Sequence, residues 1–477
     1  MTSNRKPIDA KLKVKPVFPT LIHNDIYEGP CRAGNENALN PERERVKSKE
    51  LFGKFQEEVK ENLTPEANIL EAVYIEHKDD WFIKQKEFQK LETDLEETDL
   101  YLIGRGMDLA QFVAVKIGER YKKPIAMVGG ESDPNLPMGC DAISHLRATN
   151  LEGYVLLNYS ELNHLIFLLR VRKSLKKTRI LRITENKFDN VNGNFLNPER
   201  LIMKFGMDCK DISISELVKE MDKIVQSKAE QKKVEEITDK LIKNAQKVHM
   251  KRGHIINSVN LYLAVKNLME EYRCNAFTVP CFELCPDGRA ASQRKAVPCL
   301  AHTLLKDEGI PSACGGDINV LLAITFLMYV SKKSVYMGNI YMINRKRNIM
   351  AVLHDVPGIK MKGLAQPDLP YEIRNFTYGG WGATIRYDFS QDSGQEVTIA
   401  RFNPLGNRIL AIKGEIVGCE GFNAVGCTFS VLIRVSDVTD FFHKAANFGN
   451  HCAMVYGDYI QELRELGDLM RFGVVEA

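Results

Sequence analysis

The chain reads as an α/β protein: two doubly wound parallel-sheet domains followed by a C-terminal β-rich, barrel-like domain. Three observations predict this. Near-continuous apolar runs alternate with helical patterns between residues 100 and 183, as strands of a parallel sheet covered on both faces do. Residues 213–273 are helical and charged. From Asn375 to Val435, short strands follow one another between Gly, Asn and Pro turns, the pattern of an antiparallel sheet or small barrel. At 477 residues the chain is too long for one core. The expected division is an N-terminal α/β domain (1–150), a middle α/β domain carrying the metal and substrate motifs (151–340) and a β-rich domain with a terminal helix (341–477).

Taken in order, residues 1 to about 50 read as extended and loop-like, with helices expected over 50–62 and 81–94. Leu100–Gly104, Asp108–Arg120 and Pro124–Val128 form a strand, a helix and a strand, which implies a parallel pair with a right-handed crossover. Tyr154–Asn158, Ser160–Leu175 and Arg179–Ile183 repeat the unit. Ser213 with Glu216 fits a capping box, and Val234, Ile237, Leu241 and Ala245 share one helical face. The alternating Lys and Glu of 223–251 read as a solvated face. Ala276–Val279 is a strand, Ile318–Val330 a buried helix, and Asp458–Met470 an amphipathic helix.

Composition excludes several classes. A hydrophobic fraction of 44% with 27% charged residues is ordinary for a soluble globular protein. A net charge of +3 leaves no electrostatic footprint for nucleic acid or an anionic membrane. The longest apolar run, Val320–Val330, is too short to span a bilayer. Eleven cysteines behind an N-terminus with no apolar leader point to a reducing, cytoplasmic setting. Gly104-Arg105-Gly106 lacks the third glycine of a dinucleotide fingerprint, and no Walker-type loop is present.

The chemistry concentrates between Val279 and Asp317. Glu283 follows one strand, and Asp317 stands between a Gly-Gly pair and an apolar helix. A carboxylate beside core strands is costly unless paired or bound to a cation, although Asp317 also has the position of a helix N-cap. His451, after Gly449-Asn450, and His354-Asp355, at the end of Ile349–Leu353, sit at comparable loop–strand junctions. Glu283, Asp317 and His451 make a hard-oxygen set with one imidazole, which suits Mn²⁺ or Mg²⁺ better than zinc. Such an ion grips adjacent sugar oxygens and stabilises an enediolate, while a carboxylate shuttles a proton between C1 and C2. Cys281, Cys285, Cys299 and Cys314 offer a rival zinc set, but their spacing is poor and free buried thiols are the stronger reading.

With these motifs in place, the chain resembles the L-fucose isomerase-like family of the wider fucose and arabinose isomerase superfamily. The resemblance rests on Cys281-Phe282-Glu283, Cys314-Gly315-Gly316-Asp317, Tyr336–Asn339, Leu353-His354-Asp355, Gly449-Asn450-His451, Tyr456-Gly457-Asp458 and an N-terminal signature, Tyr27–Arg32. It implies a homo-oligomeric, Mn²⁺-dependent aldose–ketose isomerase, with Glu283, Asp317 and His451 as metal ligands and Glu283 and Asp317 as the acid–base pair. The chain departs from the family where arabinose-type relatives carry ligand carboxylates, at Gly315 and Gly338. His354, Asp355, Arg32, Arg289 and Asn450 are the expected substrate-binding residues. Arg32, Arg289, Arg294, Lys295, Lys360 and Lys362 lie near the motifs, and guanidinium forks suit an acidic sulfo- or phospho-sugar; a deoxy sugar is the other candidate. A rival reading keeps the fold and gives it a sugar-binding, lyase or transferase role.

Overall fold

Lys13, Lys15, Pro16 and Pro19 interrupt the apolar run of residues 12–21, which is why the sequence reads there as a loop. In the computed structural model, which describes residues 6–24, 41–78, 83–104, 110–129, 136–185, 198–286 and 288–477, this segment is instead a ten-residue strand, β1 (Leu12–Leu21). Its lysines are matched by acidic residues ahead of the next parallel strand. Lys15 is buried and donates to Asp94 at 2.7 Å, the Lys13 ammonium pairs with Glu97, and the Lys13 amide donates to Asp99 at 2.7 Å. Paired in this way, a buried ammonium becomes tolerable inside a sheet.

Residues 10–170 form one compact unit. Its sheet contains β1, β2 (Ala67–Ile69), β3 (Val73–His77), β4 (Leu100–Ile103), β5 (Ile125–Val128) and β6 (Gly153–Leu156). All pairings are parallel, in the order β2-β1-β4-β5-β6 with β3 also on β1. The repeat of strand, helix and strand that the sequence shows after residue 150 does not form one sheet. β6 closes this first sheet, and the next strand, β7 (Arg179–Ile183), enters the second. An apolar alternation specifies the order of elements; it does not specify which sheet receives each strand.

The other unit comprises residues 171–477 with the N-terminal residues up to Asp9. Its parallel sheet has the order β11-β10-β7-β8, with β8 (Asp208–Ile212), β10 (Ala276–Val279) and β11 (Ser312–Cys314). The helix Ile214–Gln226 starts with the expected capping box, Ser213 and Glu216 satisfying each other's backbone. A small sheet joins β9 (Lys247–Val248), β14 (Glu372–Asn375) and β15 (Ala383–Arg386).

The β-rich portion is a closed ring of antiparallel strands: β12 (Tyr336–Asn344), β13 (Ile349–Leu353), β16 (Glu396–Phe402), β17 (Arg408–Glu420), β18 (Ser430–Val435) and β19 (His451–Tyr456). The order runs β16-β19-β12-β13-β18-β17, and a further β16–β17 pairing closes it; β20 (Gly473–Glu476) adds in parallel to β17. Closure removes sheet edges that would otherwise need covering.

Between sheet and ring lies the helix Ile318–Ser331, buried from Ile318 to Val330 and touching β11, β16 and β19. A helix apolar on every side must be enclosed, and here protein encloses it. Among the described residues no helix is long and apolar enough to cross a membrane.

Gly338 explains one departure from the arabinose-type pattern. A Cβ there would stand 2.6 Å from the Leu353 carbonyl carbon and oxygen. No carboxylate-bearing side chain fits. Gly338→Ala is expected to lower stability by about 1–3 kcal/mol, the usual cost of overpacking, measured by urea unfolding; an unchanged midpoint would show that the ring yields there.

Candidate functional site

Strand order places the relevant residues along one edge. Thr184 and Glu185 follow β7, Glu283 follows β10, and Asp317 follows β11. In open parallel sheets, ligands bind beyond the carboxyl ends of the strands. Gly315 and Gly316 take positive φ values of 75° and 69° to turn the chain from β11 into the helix. That conformation disfavours a glutamate at 315, so both positions of the missing family carboxylates are sterically restricted.

Asp317 is the helix N-cap and is fully buried. One oxygen accepts the Val320 amide at 3.0 Å. The other accepts Arg401 Nη1 at 2.8 Å and His451 Nδ1 at 3.1 Å. Burial pushes this carboxyl up, but the Arg401 charge and the His451 bond outweigh it and hold it at about 2. Arg401 is itself fully buried and also donates to the carbonyls of Phe448 and His451, both at 2.6 Å. Gly449 makes room for it, since a Cβ there would lie 2.8 Å from the guanidinium nitrogens.

Ring register brings the second histidine alongside. Asn339 of β12 stands opposite His451 on one side and Leu353 on the other. His354, next after Leu353, therefore shares that end of the ring with His451, and the two imidazoles are 5.8 Å apart at 61°. His354 Nδ1 accepts the Asp355 amide at 3.1 Å. Burial first, then the nearby His451 and Lys306, push His354 down to about 3, so it is neutral near pH 7 with its proton on Nε2. His451 has the converse arrangement: its Nδ1 donates to Asp317, so Nε2 is the nitrogen that accepts in the ring's neutral form. One imidazole accepts and the other donates.

The remaining expected residues are placed as follows. Glu283 is half-buried and accepts from Thr184 Oγ1 at 3.0 and 3.2 Å and from the Glu185 amide at 2.9 Å. Asp355 is fully buried in a two-point pair with Arg386 at 2.9 and 2.8 Å, and Arg386 also holds the carbonyls of Gly421, Phe422, Ala424 and Gly426. Asn450 is exposed, and its Oδ1 accepts the Ile340 amide at 3.2 Å. Arg289 is exposed at the start of a short helix and has no ion-pair partner among the described residues. Arg294 is paired with Asp222, Lys360 with Asp368 and Lys362 with Asp392. Arg32 and the Tyr27–Arg32 signature lie outside the described residues.

The expected Mn²⁺ or Mg²⁺ set is Glu283, Asp317 and His451. The structure joins Asp317 to His451 and holds Glu283 on Thr184 and Glu185. Both Asp317 oxygens are occupied by donors, and among the described residues no group of three or more His, Cys, Asp or Glu is arranged to hold a metal ion. As placed, Asp317 and His451 are engaged with each other and with Arg401, and Glu283 with Thr184 and Glu185; among the described residues the four cysteines do not gather as a zinc set. The Cys281 and Cys314 thiols instead hydrogen-bond each other.

Arg401, Arg386 and Lys306 complete this centre without having stood out in the sequence, together with Tyr336 of the Tyr336–Asn339 motif. The one available signal for Arg401 was a guanidinium near the end of a largely apolar strand, Glu396–Phe402.

The likeness to known proteins is to sugar isomerases. A family model of the L-arabinose isomerase central domain matches residues 198–333, the stretch holding Glu283 and Asp317. The chain is 28% identical over 222 residues to a sulfoquinovose isomerase of Alkalicoccus urumqiensis, covering 45% of this chain and 46% of that protein. It is 26% identical over 186 residues to sulfoquinovose isomerases of Priestia aryabhattai and Priestia megaterium, covering 37% of this chain and 39% of each. The chain thus spans less than half the length of these relatives.

Two outcomes are expected. Arg401→Met leaves Asp317 buried without its cation and should cost about 3–5 kcal/mol in denaturant unfolding at pH 7; a loss below about 1 kcal/mol, the range of exposed pairs, would contradict the pairing. His354 binds its proton more weakly folded than unfolded, so its contribution is present above pH 6.5 and is lost as pH falls toward 3. His354→Gln should therefore flatten the stability-versus-pH curve in that window, and an unchanged slope would exclude a buried neutral imidazole.

Proposed function

We propose that this protein is an aldose–ketose isomerase acting on a sugar that carries an anionic group, a sulfonate in the first instance. The observation that carries the reading is the buried Asp317–His451 pair facing His354 at the carboxyl edge of a parallel sheet, within a chain similar to sugar isomerases. Isomerisation moves one proton between C1 and C2 through an enediol, which needs a base on carbon and a donor at the carbonyl oxygen. His451 Nε2 serves as the base. Asp317 fixes its orientation and steadies the imidazolium that forms, as the carboxylate of a hydrolytic triad does. His354 Nε2–H serves the oxygen. Glu283, anchored by neutral donors, is a second carboxylate for the sugar hydroxyls. Arg289, an exposed cation, meets the anionic substituent, in line with relatives named for sulfoquinovose.

The test is incubation of the purified protein with neutral and sulfonated aldoses in D₂O, with and without added Mn²⁺, following ketose formation and carbon-bound deuterium by NMR. Expected are ketose with deuterium at the transferred position, loss of at least about a hundredfold in rate for His451→Ala, in the range of a general base, and loss of the sulfonate preference for Arg289→Ala. Binding without exchange on any aldose would refute the isomerase reading in favour of a sugar-binding role, and unchanged discrimination by Arg289→Ala would remove the anionic specificity.

A further inference from the structure

A fully buried lysine close enough to His354 to act on its charge has no carboxylate within hydrogen-bonding reach among the described residues. Lys306 lies on the helix Cys299–Asp307, and its Nζ donates to the carbonyl of Val356 at 2.5 Å. Burial pushes its ammonium down to about 7. An apolar side chain would serve a core position at lower cost. The lysine's contact points to another use.

Val356 belongs to the turn that carries His354 out of β13. Three residues of one helix face, 303, 306 and 307, hold that turn by its backbone. Thr303 Oγ1 donates to the Pro357 carbonyl at 2.7 Å. Asp307 accepts the amides of Ile359 at 2.9 Å and Lys360 at 3.0 Å, together with Ser334 Oγ at 2.7 Å. Gly358 sits too close for any side chain, its ideal Cβ lying 2.1 Å from Ser334 Oγ and 2.8 Å from Asp307 Oδ1. At the near end, the Asp355 amide holds the His354 ring, and Tyr336 holds the His354 backbone, donating to its carbonyl at 2.5 Å and accepting its amide at 2.9 Å.

We propose that Lys306 is a positioning residue: through the Val356 carbonyl it fixes the His354–Lys360 turn, so that His354 is presented to His451. The inference deepens the functional reading above and rests on it. Lys306 touches neither substrate nor reacting atoms, and its effect passes through the turn. A residue that serves only stability would lower the unfolding midpoint and leave the folded enzyme's turnover unchanged.

The test uses the full chain with Lys306→Met and Thr303→Val, each scored by kcat, KM, thermal midpoint and NMR-resolved exchange of the Asp355 amide, whose acceptor is the His354 ring. Lys306→Met should lower kcat about tenfold with KM within about twofold, speed Asp355 exchange about tenfold, and leave the midpoint level or raised. Thr303→Val should move kcat and exchange in the same direction by about threefold. Unchanged kcat and unchanged Asp355 exchange in both variants would overturn the proposal. Should Lys306→Met fail to fold, Thr303→Val decides. Should the wild type isomerise no sugar, the functional reading falls alone, and amide exchange still judges the positioning.

Discussion

One carboxylate buried at the head of an apolar helix organises the larger unit of this protein. Asp317 cannot stay ionised out of water unless its charge is met, and it is met three ways: by the helix's own Val320 amide, by Arg401 from β16 and by His451 from β19. The first bond starts the helix, while the other two tie that helix to the ring. Because the helix runs from the end of β11, the same carboxylate fixes where the parallel sheet meets the ring. Breaking a buried pair of this kind costs far more than replacing both partners, so the arrangement is all or nothing.

The chemistry of the site follows from that constraint. A carboxylate that accepts three bonds and is held at about 2 is a poor proton carrier near neutrality and a good anchor for an imidazole. It assigns Nδ1 of His451 the role of donor and leaves Nε2 for other work. The ring register then supplies the complement, since β13 and β19 flank β12 and deliver His354 and His451 to the same end. His354 is kept neutral by burial, with its Nδ1 already engaged by a backbone amide. Two histidines of opposite hydrogen-bonding sense thus arise from ordinary structural requirements, without a dense carboxylate cluster. Gly315 and Gly338 are consistent with this economy, as the positive φ of the first and the tight packing of the second disfavour a larger side chain there.

Much of the layout was legible in the sequence, for reasons that also mark where legibility ended. The apolar runs of β4, β5, β7 and β10, the all-apolar helix after Asp317 and the Ser213–Glu216 box are local patterns, and local physics decides them. β1 was missed because its lysines are neutralised by Glu97 and Asp94, residues far along the chain. The sheet membership of β6 and β7 was invisible because alternation carries no address. In the site, Asp317 and His451 were recognisable as costly groups at element ends, and they do meet. That Glu283 turns to Thr184, that Asp355 is taken by Arg386, and that Arg401 and Lys306 complete the centre are outcomes of three-dimensional pairing. No spacing in one sequence encodes them.

His451 is held by Asp317 through Nδ1, and in the proposed function it presents Nε2 to a sugar. Long-range ¹H–¹⁵N correlation spectra of the histidine-labelled protein, recorded as a sulfonated aldose is titrated in, address this most directly. Expected are a protonated Nδ1 and an unprotonated Nε2 on His451 in the free protein, with the Nε2 resonance alone moving substantially as sugar binds. The reverse tautomer, or a His451 ring indifferent to saturating sugar, would contradict it.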